Sequence, residues 1–288
     1  MRAELSDDPL TRRQKMYGRG ATTVFALAWD PRLSYCLYVP EDFDENKSSA
    51  KLIVSVHGTL RTFWSYRDGL SQLARFRNCV VLAPLFPVGI FGDGNEDGYK
   101  QLIERGLRYD LALLAMVDEA SKRLDTTFGK FFLFGFSGGG QFVNRFMFLH
   151  PRSLLAASIG SPGSVTLIDP ARDFWVGTRN LQSLFGIELD GVALRQVPVQ
   201  LIVGGADTEQ WEINYREGSA NYMPGINDTG KTRLERLDSL RRNLEEHGVR
   251  VYQHVVPGVA HDVGKVFPHV EKFFAGVLDD CRAKCADT

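Results

Sequence analysis

Cysteine is scarce in this chain, with four in 288 residues. Cys36 and Cys79 fall in strand-like segments, and Cys281 and Cys285 stand at a helical spacing near the C-terminus. Neither a disulfide framework nor a zinc cluster therefore organises the fold, and reduced structural thiols are expected. No His/Asp/Glu spacing calls for a metal either, and no cofactor motif is present. Excess charge of one sign is also missing. The 34 basic and 35 acidic residues leave a net charge of −1, which gives no electrostatic footing for nucleic acid or an anionic membrane. No apolar run reaches membrane-spanning length. Met1 to Pro9 carries charges where a signal peptide would need an apolar core, so a cytoplasmic protein is expected. Internal repeats and low-complexity linkers are lacking, and 44% hydrophobic residues suit one large domain over 1–288.

The informative stretch is residues 131–140, FFLFGFSGGG. The aromatic run Phe131 to Phe134 suits a fully buried strand, and Gln141 to Leu149 continues as a mostly buried helix ending near His150-Pro151. Between them, Gly135-Phe136-Ser137-Gly138-Gly139 reads as a sharp turn that lifts a serine above the sheet edge, with glycines where a Cβ would collide. Gly-x-Ser-x-Gly arises by accident roughly 0.15 times in a chain of this composition, so the strand and helix around it carry the argument. A phosphate cradle would instead need a Lys-Ser/Thr pair that is absent.

A serine nucleophile needs a base, and the base needs an orienting carboxylate. The strand candidate Val197 to Val203 runs into Gly204-Gly205-Ala206-Asp207, which makes Asp207 the favoured acid, with Asp262 and Asp190 as alternatives. The strand candidate Val249 to Val256 is followed by Gly258-Val259-Ala260-His261, and His261 is the favoured base. An earlier strand, Lys51 to Val56, leads into His57-Gly58-Thr59. Gly58 permits a tight turn that would bring the Thr59 amide beside that of Gly138 as an oxyanion hole. His57 is expected to anchor this loop by hydrogen bonding.

These residues, in the order Ser137, Asp207, His261, resemble a serine α/β-hydrolase over essentially the whole chain. The short His-Gly-Thr loop is similar to that of the esterase branch containing polyhydroxybutyrate depolymerases and feruloyl esterases. The resemblance implies acyl transfer to Ser137 from a small-molecule ester-like substrate. Amidases, peptidases and lactonases share the fold, and a catalytically silent binding protein is the alternative of a different class.

The predicted architecture is a mostly parallel eight-stranded sheet with helices on both faces. An opening hairpin is expected from Thr22 to Val39, and helices over about Ser65 to Arg75, Leu107 to Leu124, Gly138 to Leu149, Thr232 to His247 and Val263 to Asp279. Two segments, 164–196 and 208–231, exceed what crossovers need and are expected to form a small cap. Trp175 and Trp211 within them, with Trp64 and Phe86, are candidate substrate-lining groups, which favours an apolar or aromatic ester or lactone. The acidic loop Asp93, Glu96 and Asp97 is expected to be a solvated turn. The remaining histidines, His150, His247, His254 and His269, are expected to be structural.

Overall fold

Period-two burial decides the sheet. In the strand Lys51–Val56, Leu52, Val54 and Val56 enter one apolar core while Ile53 enters the other. In Phe131–Phe136, Phe131 and Leu133 face the first core and Phe132, Phe134 and Phe136 the second. Strands apolar on both faces are what a parallel sheet sandwiched between helices requires. The computed structural model describes residues 16–286, so the expectation drawn from Met1 to Pro9 lies outside the described residues.

The main sheet contains β1 (Gly20–Ala26), β2 (Ser34–Val39), β3 (Lys51–Val56), β4 (Cys79–Leu85), β7 (Phe131–Phe136), β8 (Leu154–Gly160), β9 (Val199–Gly204) and β10 (Val251–Val256). A separate small hairpin pairs β5 (Ile103–Glu104) with β6 (Leu107–Arg108). The eight strands run in the order β1-β2-β4-β3-β7-β8-β9-β10. β2 pairs antiparallel with β1 and with β4, and every other pair is parallel. On one face lie α3 (Tyr109–Arg123), α4 (Gly138–Leu149) and α5 (Arg233–Glu246), whose apolar residues join the larger core. The other face is covered by α1 (Phe63–Asp68), α2 (Ser71–Arg77) and α6 (Phe267–Ala286).

Three boundaries differ from expectation for local reasons. The helix expected over Ser65 to Arg75 is two helices meeting at Gly69-Leu70, where a Cβ on Gly69 would stand 2.3 Å from the Phe267 ring. Only glycine lets α6 pack that closely. The helix expected from Leu107 begins at Tyr109, because Leu107 and Arg108 pair with Glu104 and Ile103. The last helix starts at Phe267 after a 3-10 turn at Val263–Lys265, with Pro268 in its first turn, where no intrahelical N–H is needed. Cys36, Cys79 and Cys281 are free thiols. Among the described residues no helix is long and apolar enough to cross a membrane.

Candidate active site

β7 ends at Phe136, α4 begins at Gly138, and Ser137 turns the chain between them with φ 58° and ψ −117°. A non-glycine residue held at positive φ is strained and persists only when its surroundings over-determine it. Here the Ser137 N–H donates to the Gly160 carbonyl of β8 at 2.8 Å, and the Gln141 N–H returns to the Ser137 carbonyl at 3.1 Å. Glycines make room on both sides. A Cβ on Gly135 would lie 2.3 Å from the Gly139 carbonyl oxygen, and one on Gly139 would lie 2.2 Å from that of Val56.

β9 and β10 bring the other two groups to the same carboxyl edge of the sheet. Asp207, at the turn after β9, is fully buried, and its Oδ2 accepts the Nδ1–H of His261 at 2.7 Å. The His261 ring packs at a tilt against Phe136, the residue before Ser137, at 4.8 Å between centroids. Burial alone would raise the Asp207 carboxyl, but the hydrogen bond from His261 and the charges of His261 and Arg233 outweigh it and hold the group below the usual carboxylate range. The alternative acids are engaged elsewhere. Asp190 caps a short helix and pairs with Arg152 at 2.7 Å, and Asp262 accepts from the Gly264 N–H at 2.9 Å.

The loop after β3 passes beside the serine. A Cβ on Gly58 would be 3.5 Å from Ser137 Cβ, and one on Gly138 would be 3.3 Å from Thr59 Oγ1, so Thr59 and Gly138 are neighbours. Arg61 staples this loop by donating to the carbonyls of Thr59 at 2.5 Å, Phe86 at 3.2 Å and Glu96 at 2.6 Å. His57 is fully buried beneath it. Its Nδ1–H donates to the Gly58 carbonyl at 2.8 Å and its Nε2 accepts from the Phe86 N–H at 3.0 Å. Those partners fix the tautomer, and burial pushes the pKa down to about 3, so His57 is a neutral anchor rather than a base.

No family model matches the sequence, and no curated protein matches it. Among solved structures, the chain is similar to poly(aspartic acid) hydrolase-1 from Sphingomonas sp. KT-1, with 21% identity, 88% of this chain and 98% of that one covered, and a TM-score of 0.68. It is also similar to a poly(3-hydroxybutyrate) depolymerase from Bordetella parapertussis, with 20% identity, 91% and 93% covered, and a TM-score of 0.71. A ferulic acid esterase matches at 16% identity over 85% of this chain and 92% of that one, with a TM-score of 0.58. The chain has the α/β-hydrolase fold.

On this α/β-hydrolase scaffold a cleft of about 270 Å³ opens above Ser137 and Thr59. Its lining corrects the sequence reading. None of the four aromatic candidates lines it: Phe86 is fully buried in the core, Trp64 and Trp211 are 52% and 80% exposed, and Trp175 packs against the larger core. Polar groups line it instead. Glu96 and Asp97, expected on a solvated turn, stand at the cleft beside Lys100. Lys100 Nζ donates to Asp97 Oδ1 at 2.5 Å, and Asn221 Nδ2 donates to Asp97 Oδ2. Gln141 lies one turn after Ser137 on α4, and Arg233 opens α5.

Arg233 is the largest omission. It is 2% exposed, donating from Nη1 to Asp207 Oδ1 at 3.1 Å and from Nη2 to Glu212 Oε2 at 2.9 Å. The Thr232 capping box before it marks the helix start but says nothing of what Arg233 reaches. Of the two insertions, 208–231 contributes Glu212, Ile213, Tyr215 and Asn221 to the cleft. Segment 164–196 contributes none and packs on the body, where Ile168 exchanges two hydrogen bonds with Asn243 of α5 and Phe174 meets Phe185 edge-on. Among the described residues no group of three His, Cys, Asp or Glu side chains could hold a metal ion.

Proposed function

We propose that this chain is a serine hydrolase that cleaves a small or medium carboxylic ester or lactone through an acyl-enzyme on Ser137. The observation that carries the reading is a serine strained at φ 58° and, packed on the Phe136 ring just before it, an imidazole whose Nδ1 is committed to a buried carboxylate. With Nδ1–H held by Asp207, Nε2 of His261 is the nitrogen left to take the Ser137 proton as Oγ attacks the carbonyl carbon. Asp207 supports the imidazolium that forms, and the Thr59 and Gly138 amides hold the oxyanion. His261 then protonates the leaving alcohol, and water repeats the sequence on the acyl-enzyme.

The fold likeness to a poly(3-hydroxybutyrate) depolymerase and a ferulic acid esterase supports ester chemistry. The polar cleft favours an acyl or alcohol part rich in oxygen or nitrogen over the apolar or aromatic one expected from sequence. Segment 208–231 is then the cap element, and 164–196 belongs to the body.

A fluorophosphonate probe is expected to label Ser137 in the wild type. Ser137→Ala should fold normally and lose on the order of 10⁶ in turnover of phenyl acetate, the scale set by loss of a triad nucleophile. Retention of more than a few per cent of wild-type turnover would reject the assignment.

A further inference from the structure

Two guanidinium groups lie buried behind the cleft with no carboxylate partner among the described residues. Arg145, 1% exposed, donates to Thr166 Oγ1, Ser164 Oγ, Gln141 Oε1 and the Lys100 carbonyl. Arg236, 0% exposed, donates to the Gly163 and Gly230 carbonyls and to Asn214 and Asn227. Their partners Gln141, Lys100 and Gly163 line the cleft. Burial lowers both groups to about 10, so both stay charged at neutral pH. Hydrogen bonds satisfy these cations locally, but their charge is not cancelled, and in a low-dielectric interior it acts over a longer range than it would in water.

The cleft floor in front of them has donors to spare. Gln141 is 6% exposed, and its Oε1 is occupied by Ser164 Oγ at 2.8 Å and Arg145 Nη1 at 3.4 Å. Arg145 can only donate, so the amide orientation is fixed and Nε2 is the free end. No described residue accepts from it. Lys100 is 9% exposed and has three donors, of which one is used, on Asp97. Its Cε would be 2.9 Å from a Cβ on Gly138, which places the chain beside the amide assigned to the oxyanion hole.

We infer that the substrate carries a carboxylate near its scissile ester, received by Lys100 Nζ and Gln141 Nε2 in the field of Arg145 and Arg236. The acids at the cleft offset only part of this field, Asp97 being the one whose charge also reaches Arg145. Asp97 is shared between Lys100 and Asn221, and Asp207 between His261 and Arg233. Glu212 is half exposed and bound to Arg233, and Glu96 is exposed at the rim, where water and salt screen it. A cleft of about 270 Å³ suits a short acyl or alcohol part. The inference rests on the proposed esterase reading and names its substrate class.

Two matched ester pairs test it. On the acyl side, 4-nitrophenyl hydrogen adipate is compared with 4-nitrophenyl hexanoate, and on the alcohol side 4-acetoxybenzoate with 4-acetoxybenzamide, each normalised to its rate with hydroxide. In at least one pair the anionic ester should have a kcat/KM roughly 10- to 100-fold higher, as a charge-assisted hydrogen bond would give, and the preference should shrink as salt rises. Lys100→Met should remove most of that ratio, and Gln141→Glu should reverse it. Calorimetry of adipate against 1,6-hexanediol on Ser137→Ala reads recognition without turnover or a Lys100 variant. A protein that hydrolyses phenyl acetate but prefers the neutral partner in both pairs overturns the inference alone. One that binds adipate over the diol but neither hydrolyses esters nor labels at Ser137 overturns the proposed activity, and the ester with it, and supports only the carboxylate site at Lys100 and Gln141. Equal binding of adipate and diol overturns the inference.

Discussion

Arg233→Met removes the buried cation behind Asp207 while keeping most of the volume of its side chain. In the wild type Arg233 and Asp207 are 2% and 0% exposed at 3.1 Å, so the pair is shielded from solvent, whereas Glu212 is 48% exposed and can rehydrate when its partner is lost. Breaking a buried ion pair by deleting one member costs about 3–5 kcal/mol, while a solvated partner adds less than about 1 kcal/mol. His261 still serves Asp207, so the lower end, about 3 kcal/mol at pH 7, is expected. Urea denaturation should read that loss directly. With about 2–4 °C per kcal/mol for a protein of this size, Tm should fall by roughly 6–12 °C. The pH dependence supplies the sign. The Asp207 carboxyl sits below its ordinary range, so its contribution is fully present above the unfolded value near ~3.9 and is lost as pH falls through the lower folded value. Without Arg233 the folded value rises, and the gap between wild type and variant should narrow as pH drops through that window. Arg233→Lys, which keeps the charge but not the fork, should recover part of the loss. A variant within 1 kcal/mol of wild type at pH 7, or a gap that ignores pH, would refute the reasoning.

Two further predictions concern the triad and the turn that carries the serine. Asp207→Asn should lower turnover by roughly 10⁴ with a modest change in KM, because an amide favours the wrong imidazole tautomer; near-normal turnover would show that Asp207 does not orient His261. Gly139→Ala puts a Cβ 2.2 Å from the Val56 carbonyl oxygen, in rigid backbone on β3, and should cost about 1–3 kcal/mol in stability with a larger loss of turnover as Ser137 is displaced; unchanged urea midpoint and turnover would show that the turn can yield.

The framework of this protein was written locally. Aromatic and β-branched runs apolar on both faces suit strands between two helix layers, and the glycines of residues 135–139 stand at the fixed offsets of a strand-to-helix turn, although the groups that exclude a Cβ there, such as the Val56 carbonyl for Gly139, come from elsewhere in the chain. His57, Ser137, Asp207 and His261 each sit just after such a strand, and parallel strands end on the same edge, so chain order alone was enough to nominate them. The lining of the cleft was not local. Lys100, Gln141, Arg145, Arg233 and Arg236 carry no local mark of the cleft, because a polar side chain looks the same in sequence whether it is solvated or buried against a distant partner. What distinguishes them is burial beside groups far away in sequence: Arg233 against Asp207, Arg145 against Lys100 and Ser164, Arg236 against Gly163. The converse error has the same cause. Trp211 and Trp64 have the composition of pocket walls, yet tertiary packing leaves them facing solvent. Strand patterning follows the two-residue period of the backbone and a strand-to-helix turn needs glycine at fixed offsets, and so both appear in sequence. The charge and polarity of a cleft are set by which distant side chains the folded backbone brings together, and only the tertiary structure decides that.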